Sequence, residues 1–302
     1  MSETANLPPH PAIKGMRSTI FGIIGNILLA VIKGLAGFFG NSYALIADAI
    51  ESTSDVFSSL IVLIGLKIST KPKDKNHPYG HGKAEPIVAI VVSLTLLGAA
   101  FTIAYQSVQE IATPHHTPAA FTLLVLVLVV AVKETLFRYV FKVGAEVQST
   151  AVKTDAWHHR SDAITSVAAF IGISVALIFG KGYESADDWA ALLASGIIAF
   201  NAYNLFRPAL AEIMDEAPPE NLEQDIRITA ETVEGVIEVE KCFIRKMGFD
   251  YFVDLHVIVD GELTVREGHI IAHKVKEALL KSKLRIVDVL IHTEPNDTSV
   301  EQ

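Results

Sequence analysis

The sequence predicts a membrane all-α domain of six transmembrane helices followed by a small cytoplasmic α+β domain of the ferredoxin-like or metallochaperone-like kind. Three observations point there. Half of the 302 residues are apolar and only 20% are charged, where a soluble chain is about a quarter charged. Mean hydropathy is positive, at +0.38. The net charge of -9 is also unevenly spread: residues 1–214 balance 15 basic against 15 acidic side chains, whereas residues 215–302 hold 19 acidic against 10 basic. That division predicts a neutral membrane part and a separate acidic module. It argues against a nucleic-acid partner, which calls for a basic surface.

Crossing about 30 Å of hydrocarbon takes roughly 20 residues of helix. Six apolar stretches qualify, near 16–39, 43–68, 86–111, 119–141, 150–179 and 188–211. Three connections are nearly free of basic residues, including the turn with His115 and His116, which read as exposed turn positions. The others are basic. Lys14 and Arg17 precede the first helix, Lys67, Lys71, Lys73, Lys75 and Lys83 lie between the second and third, and Lys133, Arg138, Lys142 and Lys153 flank the fourth connection. Positive charge stays inside, so both termini are expected in the cytoplasm. Residues 1–11 are polar and Pro-rich without a signal-peptide pattern, so the first helix is expected to serve as its own signal. Short loops without targeting segments favour a bacterial inner membrane.

The predicted organisation is an N-terminal tail over 1–15, the helical domain over 16–214 and the cytoplasmic domain over 215–302. Asp215-Glu216-Ala217-Pro218-Pro219 ends the last membrane helix. Beyond it, helical periodicity over 221–233 and 265–280 and strand alternation over 236–246, 251–259 and 286–292 give an α-β-β-α-β order. Helices then cover one face of the sheet. The single cysteine, Cys242, suits a reducing compartment and suggests no thiolate metal site.

Chemistry concentrates in three places. In the second helix Glu51 and Asp55 are four residues apart, on one helix face, with Asp48 nearby as a supporting or interfacial group. The fifth helix repeats the spacing with His158 and Asp162. Facing one another, the pairs offer three carboxylates and an imidazole, a set that a tetrahedral Zn²⁺ accepts. Carboxylates inside a bilayer repel without a cation, which favours this over simple helix-to-helix hydrogen bonding. Asp74, His77 and His81 in the basic loop form a second candidate, against which stands a solvated loop with incidental histidines. In the C-terminal segment His256, His269, His292 and Glu294 could meet at one edge of the sheet. His269 and His273 lack the intervening Glu of the zinc-protease helix, which disfavours metal hydrolysis.

With Ser42 to Asp55, Tyr79-Gly80-His81-Gly82-Lys83-Ala84-Glu85-Pro86 and Asp155 to Asp162 in this order, the sequence resembles the cation diffusion facilitator family over nearly its whole length. The resemblance implies a homodimer in the lipid bilayer that exports Zn²⁺ or a similar divalent ion in exchange for protons, with a metal-binding cytoplasmic domain. It implies a transport site at Glu51, Asp55, His158 and Asp162, a loop site at Asp74, His77 and His81, and a tail site at His256, His269, His292 and Glu294. Against the family pattern, Glu51 stands where Asp or His is usual, Glu240 where some relatives have His, and Glu294 where some have Asp. The competing expectations are a membrane-anchored metal sensor or scaffold that transports nothing, an exporter selective for Fe²⁺, Co²⁺, Cd²⁺, Ni²⁺ or Mn²⁺, and an intramembrane hydrolase, for which no nucleophile motif is present.

Overall fold

The structure is a computed structural model that describes residues 11–39, 43–112, 121–179, 186–218, 220–282 and 284–296, apart from the side chains of 36–39, 43–51, 54, 122, 176, 187 and 220. His115 and His116, and the side chains of Asp48 and Glu51, therefore lie outside the described residues. The chain forms two compact units, Met1–Leu210 and Ala211–Gln302.

Six long helices build the first unit: α1 (Pro11–Phe39), α2 (Tyr43–Ser69), α3 (Ala84–Ala112), α4 (Thr122–Glu146), α5 (Thr150–Phe179) and α6 (Ala186–Ile213). Among the described residues, α1, α3, α5 and α6 are long and apolar enough to cross a membrane. The apolar run of α4 is broken by Lys133, Glu134 and Arg138. The unit is polar inside and apolar outside. Asn26, Ser52, Asp55, Ser59, Lys133, Asp155 and His159 are buried, while Phe101, Leu124, Ile178 and Leu193 are each more than 60% exposed. In water that distribution would be unstable; against hydrocarbon it is expected, because a helix satisfies its own backbone and presents apolar side chains to lipid.

Neighbouring helices pack as the hairpins α1–α2 and α4–α5, with α1–α4, α3–α5 and α2–α5 closing the bundle. The α4–α5 turn is tight: Val147 N donates to Val143 O at 2.9 Å and Ser149 N to Gly144 O at 3.0 Å. Glu85, at the start of α3, fixes the first turn of α5. Its buried Oε1 accepts from Ser149 Oγ at 2.5 Å and from Ala151 N at 2.6 Å, so one of the helix's orphan N-terminal donors is satisfied from another helix.

The second unit contains α7 (Glu220–Glu231), β1 (Glu238–Met247), β2 (Asp250–Val259), α8 (Val265–Lys281) and β3 (Ile286–Pro295). This is the expected α-β-β-α-β order. The sheet order is β1-β2-β3, with β1 antiparallel and β3 parallel to β2. Alternation along β2 sends Val253, Leu255 and Val257 into a core with Ile226 and Ala230 of α7 and Ile271, Val275 and Leu279 of α8. The helices thus cover one sheet face and leave the other open. A capping box at Thr264 and Glu267 sets the start of α8.

Candidate metal centre

Helical spacing carries Asp55 on α2 and His158 and Asp162 on α5 to a common point inside the helical unit, where one ligand atom from each lies within 4.8 Å of the others. His158 Nε2 is 2.9 Å from Asp55 Oδ1. The second oxygens of both carboxylates are occupied by a group that the sequence reading placed elsewhere. Lys133 Nζ donates to Asp55 Oδ2 at 2.7 Å, to Asp162 Oδ2 at 2.6 Å and to Asn26 Oδ1 at 2.9 Å. Lys133 therefore does not flank the fourth connection. It sits in the middle of α4 with its side chain fully buried, and the positive-inside argument there rests on Arg138, Lys142 and Lys153. The signal was present: Lys133 follows the unbroken apolar run 123–132, and a lysine at that depth needs an anionic partner.

One turn away, towards the C-terminus of α2 and the N-terminus of α5, lies a second polar layer. Ser59 Oγ donates to Asp155 Oδ1 at 2.8 Å. His159 is fully buried beside it, with its Nε2 where a Cβ on Gly22 would come within 2.8 Å. Asn26 and Ser59 were not singled out from sequence, because a lone Asn or Ser in an apolar helix is a common packing residue.

In the loop between α2 and α3, Asp74 Oδ1 accepts from Asn76 N at 2.9 Å and His77 N at 2.7 Å. Gly80, at φ +89°, turns the chain so that His81 Nε2 comes back to 3.4 Å from Asp74 Oδ2. The His77 and His81 rings stand 4.3 Å apart. Asp74, His77 and His81 thus form a compact three-ligand group. The His77 amide hydrogen bond, followed by the His77 ring, holds the Asp74 carboxyl below the ordinary aspartate range.

His256, His292 and Glu294 form the third group. It lies on the open face of the sheet rather than at an edge, because His256 and His292 are paired across β2 and β3. Glu294 Oε1 is 2.5 Å from His256 Nδ1 and 3.6 Å from His292 Nε2. Glu240 of β1 joins from 3.9 Å, and its hydrogen bond with Glu294, then that of His256, keeps the Glu294 carboxyl below its usual range. His269 is not brought there. It is exposed on α8, which covers the opposite face, with its ring 4.5 Å from that of His273. Burial, and next the nearby Glu223, push the Cys242 thiol up to about 11.

Residues 19–214 match the cation efflux transmembrane domain, and residues 218–296 the cytoplasmic domain of cation efflux proteins. The chain belongs to the cation diffusion facilitator family. Among curated relatives, the Manganese efflux system protein MneP of Bacillus subtilis is 30% identical over 91% of this chain and 94% of its own. Magnetosome protein MamM of Paramagnetospirillum magneticum is 33% identical over 91% and 87%, and an uncharacterized transporter of Methanocaldococcus jannaschii is 34% identical over 86% and 91%. As a cation diffusion facilitator, the protein is a multi-pass membrane transporter for efflux of divalent metal cations, and not an enzyme.

Proposed function

We propose that this transporter exports Zn²⁺ from the cytoplasm in exchange for protons, carrying the ion on Glu51, Asp55, His158 and Asp162. The observation that carries the proposal is the buried convergence of Asp55, His158 and Asp162 within 4.8 Å, from two helices. Carboxylates held that close in low dielectric repel unless cations join them; Lys133 offsets one of the two charges, and the mixed oxygen and imidazole donors suit tetrahedral Zn²⁺. The imidazole ordinarily titrates near neutral pH, which suits exchange of metal for protons there. Manganese is the second reading. Carboxylate-rich sites favour Mn²⁺, and a relative that matches most of this chain is named a manganese efflux protein.

In this scheme residues 16–214 transport, and residues 215–302 pair two copies into a homodimer and respond to metal through His256, His292 and Glu294. The Asp74, His77 and His81 loop takes up metal on the cytoplasmic side. Both termini are cytoplasmic, in a bacterial inner membrane.

Reconstitution into liposomes with a pH gradient tests the proposal. Wild type is expected to move Zn²⁺ and to acidify its own side of origin, and Asp55→Ala to move none. Competition by Mn²⁺, Fe²⁺, Co²⁺, Cd²⁺ and Ni²⁺ ranks the cargo, and preference for Mn²⁺ promotes the second reading. If wild type binds metal and carries none, the protein is a sensor or scaffold instead.

A further inference from the structure

We propose that Lys133 is a tethered counter-cation: its ammonium stands between Asp55 and Asp162 in the empty carrier, and a divalent ion enters by displacing it. This rests on the assignment of Asp55, His158 and Asp162 as the transport site.

Four helices meet at this ammonium. Its three acceptors, Asn26 Oδ1, Asp55 Oδ2 and Asp162 Oδ2, come from α1, α2 and α5 at 2.6–2.9 Å, and the lysine itself from α4. An ammonium has three donors, so its hydrogen bonding is complete. The two carboxylates it bridges are those that converge with His158 into a ligand group. A metal held by these carboxylates at about 2.0–2.2 Å would stand within a few ångströms of the ammonium, where two cations repel in low dielectric, so its entry drives the ammonium away. The cavity bounded by Lys33, Ser52, Asp55, Lys133, Asp162, Thr165 and Ser166 has a volume of only about 10 Å³, and one water needs roughly that much.

Two consequences follow from charge alone. With the metal gone, two carboxylates would otherwise remain buried without a cation, which is strongly unfavourable; the lysine neutralises one of them throughout the return of the empty carrier. A monovalent ion that replaced the ammonium would gain no charge, whereas a divalent ion gains one unit, so the exchange selects against Na⁺ and K⁺. The flexible four-carbon stem of lysine lets the ammonium withdraw, and Asn26 remains an acceptor outside the ligand group.

The concentration dependence of Zn²⁺ and Mn²⁺ flux in proteoliposomes tests the proposal on the full chain. Lys133→Gln removes the competitor and is expected to lower KM at least about ten-fold while slowing the maximal rate, because the empty site returns without its cation. Lys133→Arg keeps a permanent cation that grips carboxylates with two bonds and is expected to raise KM by a similar factor. A purely structural lysine would change the maximal rate or the yield of folded protein without moving KM in opposite directions. Unchanged KM in both folded variants overturns the proposal, and Lys133→Arg decides alone if Lys133→Gln does not fold. If neither folds, wild type decides: acylation of the Lys133 amine, mapped by mass spectrometry, is expected to rise when Zn²⁺ is added, and no rise overturns the proposal. Asp55→Asn separates the two levels. Wild-type KM in Asp55→Asn sinks the transport-site assignment itself, whereas lost flux there beside unchanged KM in both Lys133 variants sinks only the role of the lysine.

Discussion

Asp74 has a structural task besides any metal it binds. Its carboxylate anchors the turn through the amides of Asn76 and His77, and this partnership lowers its titration below the ordinary value. For a carboxyl whose folded value is depressed, the stabilisation is fully present above the unfolded value and is lost as pH falls through the folded one. In metal-free protein the His77 amide should therefore keep its hydrogen-exchange protection factor from pH 7 down to about 4 and lose it only below. Asp74→Ala should lack the protection at every pH. Decay already between pH 7 and 5 would show that the imidazoles, and not Asp74, order the turn. The same residue scale explains what sequence could not show. Asp55, His158 and Asp162 were legible because two pairs repeat one helical spacing, whereas Lys133 stands on another helix at no fixed offset from any of them and looked like one more charge near a helix end.

Among the elements, the helices were legible to within a few residues, because apolar length against the bilayer fixes them almost alone; α4 runs five residues past its expected end, to Glu146, since its last turn is polar. How closely they approach was hidden. At Gly65 of α2 an added Cβ would stand 2.3 Å from Val88 Cγ2 and 2.9 Å from Val88 Cβ, a closeness that no periodicity in a single helix reveals. Val88 is β-branched and stiff at χ1, so it cannot simply swing aside. Gly65→Ala is expected to part α2 from α3 and to lower stability by about 1–3 kcal/mol, the usual cost of overpacking. Thermal unfolding in detergent checks it, and an unchanged midpoint would mean that α3 shifts without strain. The α4–α5 pair carries a further lock, since the Arg160 guanidinium lies 4.4 Å from the centroid of the Phe137 ring, a cation–π contact across the hairpin.

At the scale of the whole molecule, the two units carry their polar groups in opposite places, inside the helical unit and on the open face of the C-terminal sheet. The order of the tail elements was legible from alternation, yet the membership of its ligand group was not, because strand register decides which histidines become neighbours. His256 meets His292 only because β2 and β3 are parallel with these two residues paired, and His269 is kept away by the layer of helices on the other face. Metal bound only to the folded domain stabilises it by about 2.7 kcal/mol at a hundred-fold excess over Kd. In a full chain already carrying Asp55→Ala and His81→Ala, Zn²⁺ is therefore expected to raise the unfolding midpoint of the C-terminal domain. His256→Ala should abolish that rise, because it removes the central ligand on β2. His269→Ala should leave it intact, since α8 presents His269 on the far side of the sheet. The reverse pattern, with His269 needed and His256 dispensable, would move the tail's metal from the open sheet face to the surface of α8.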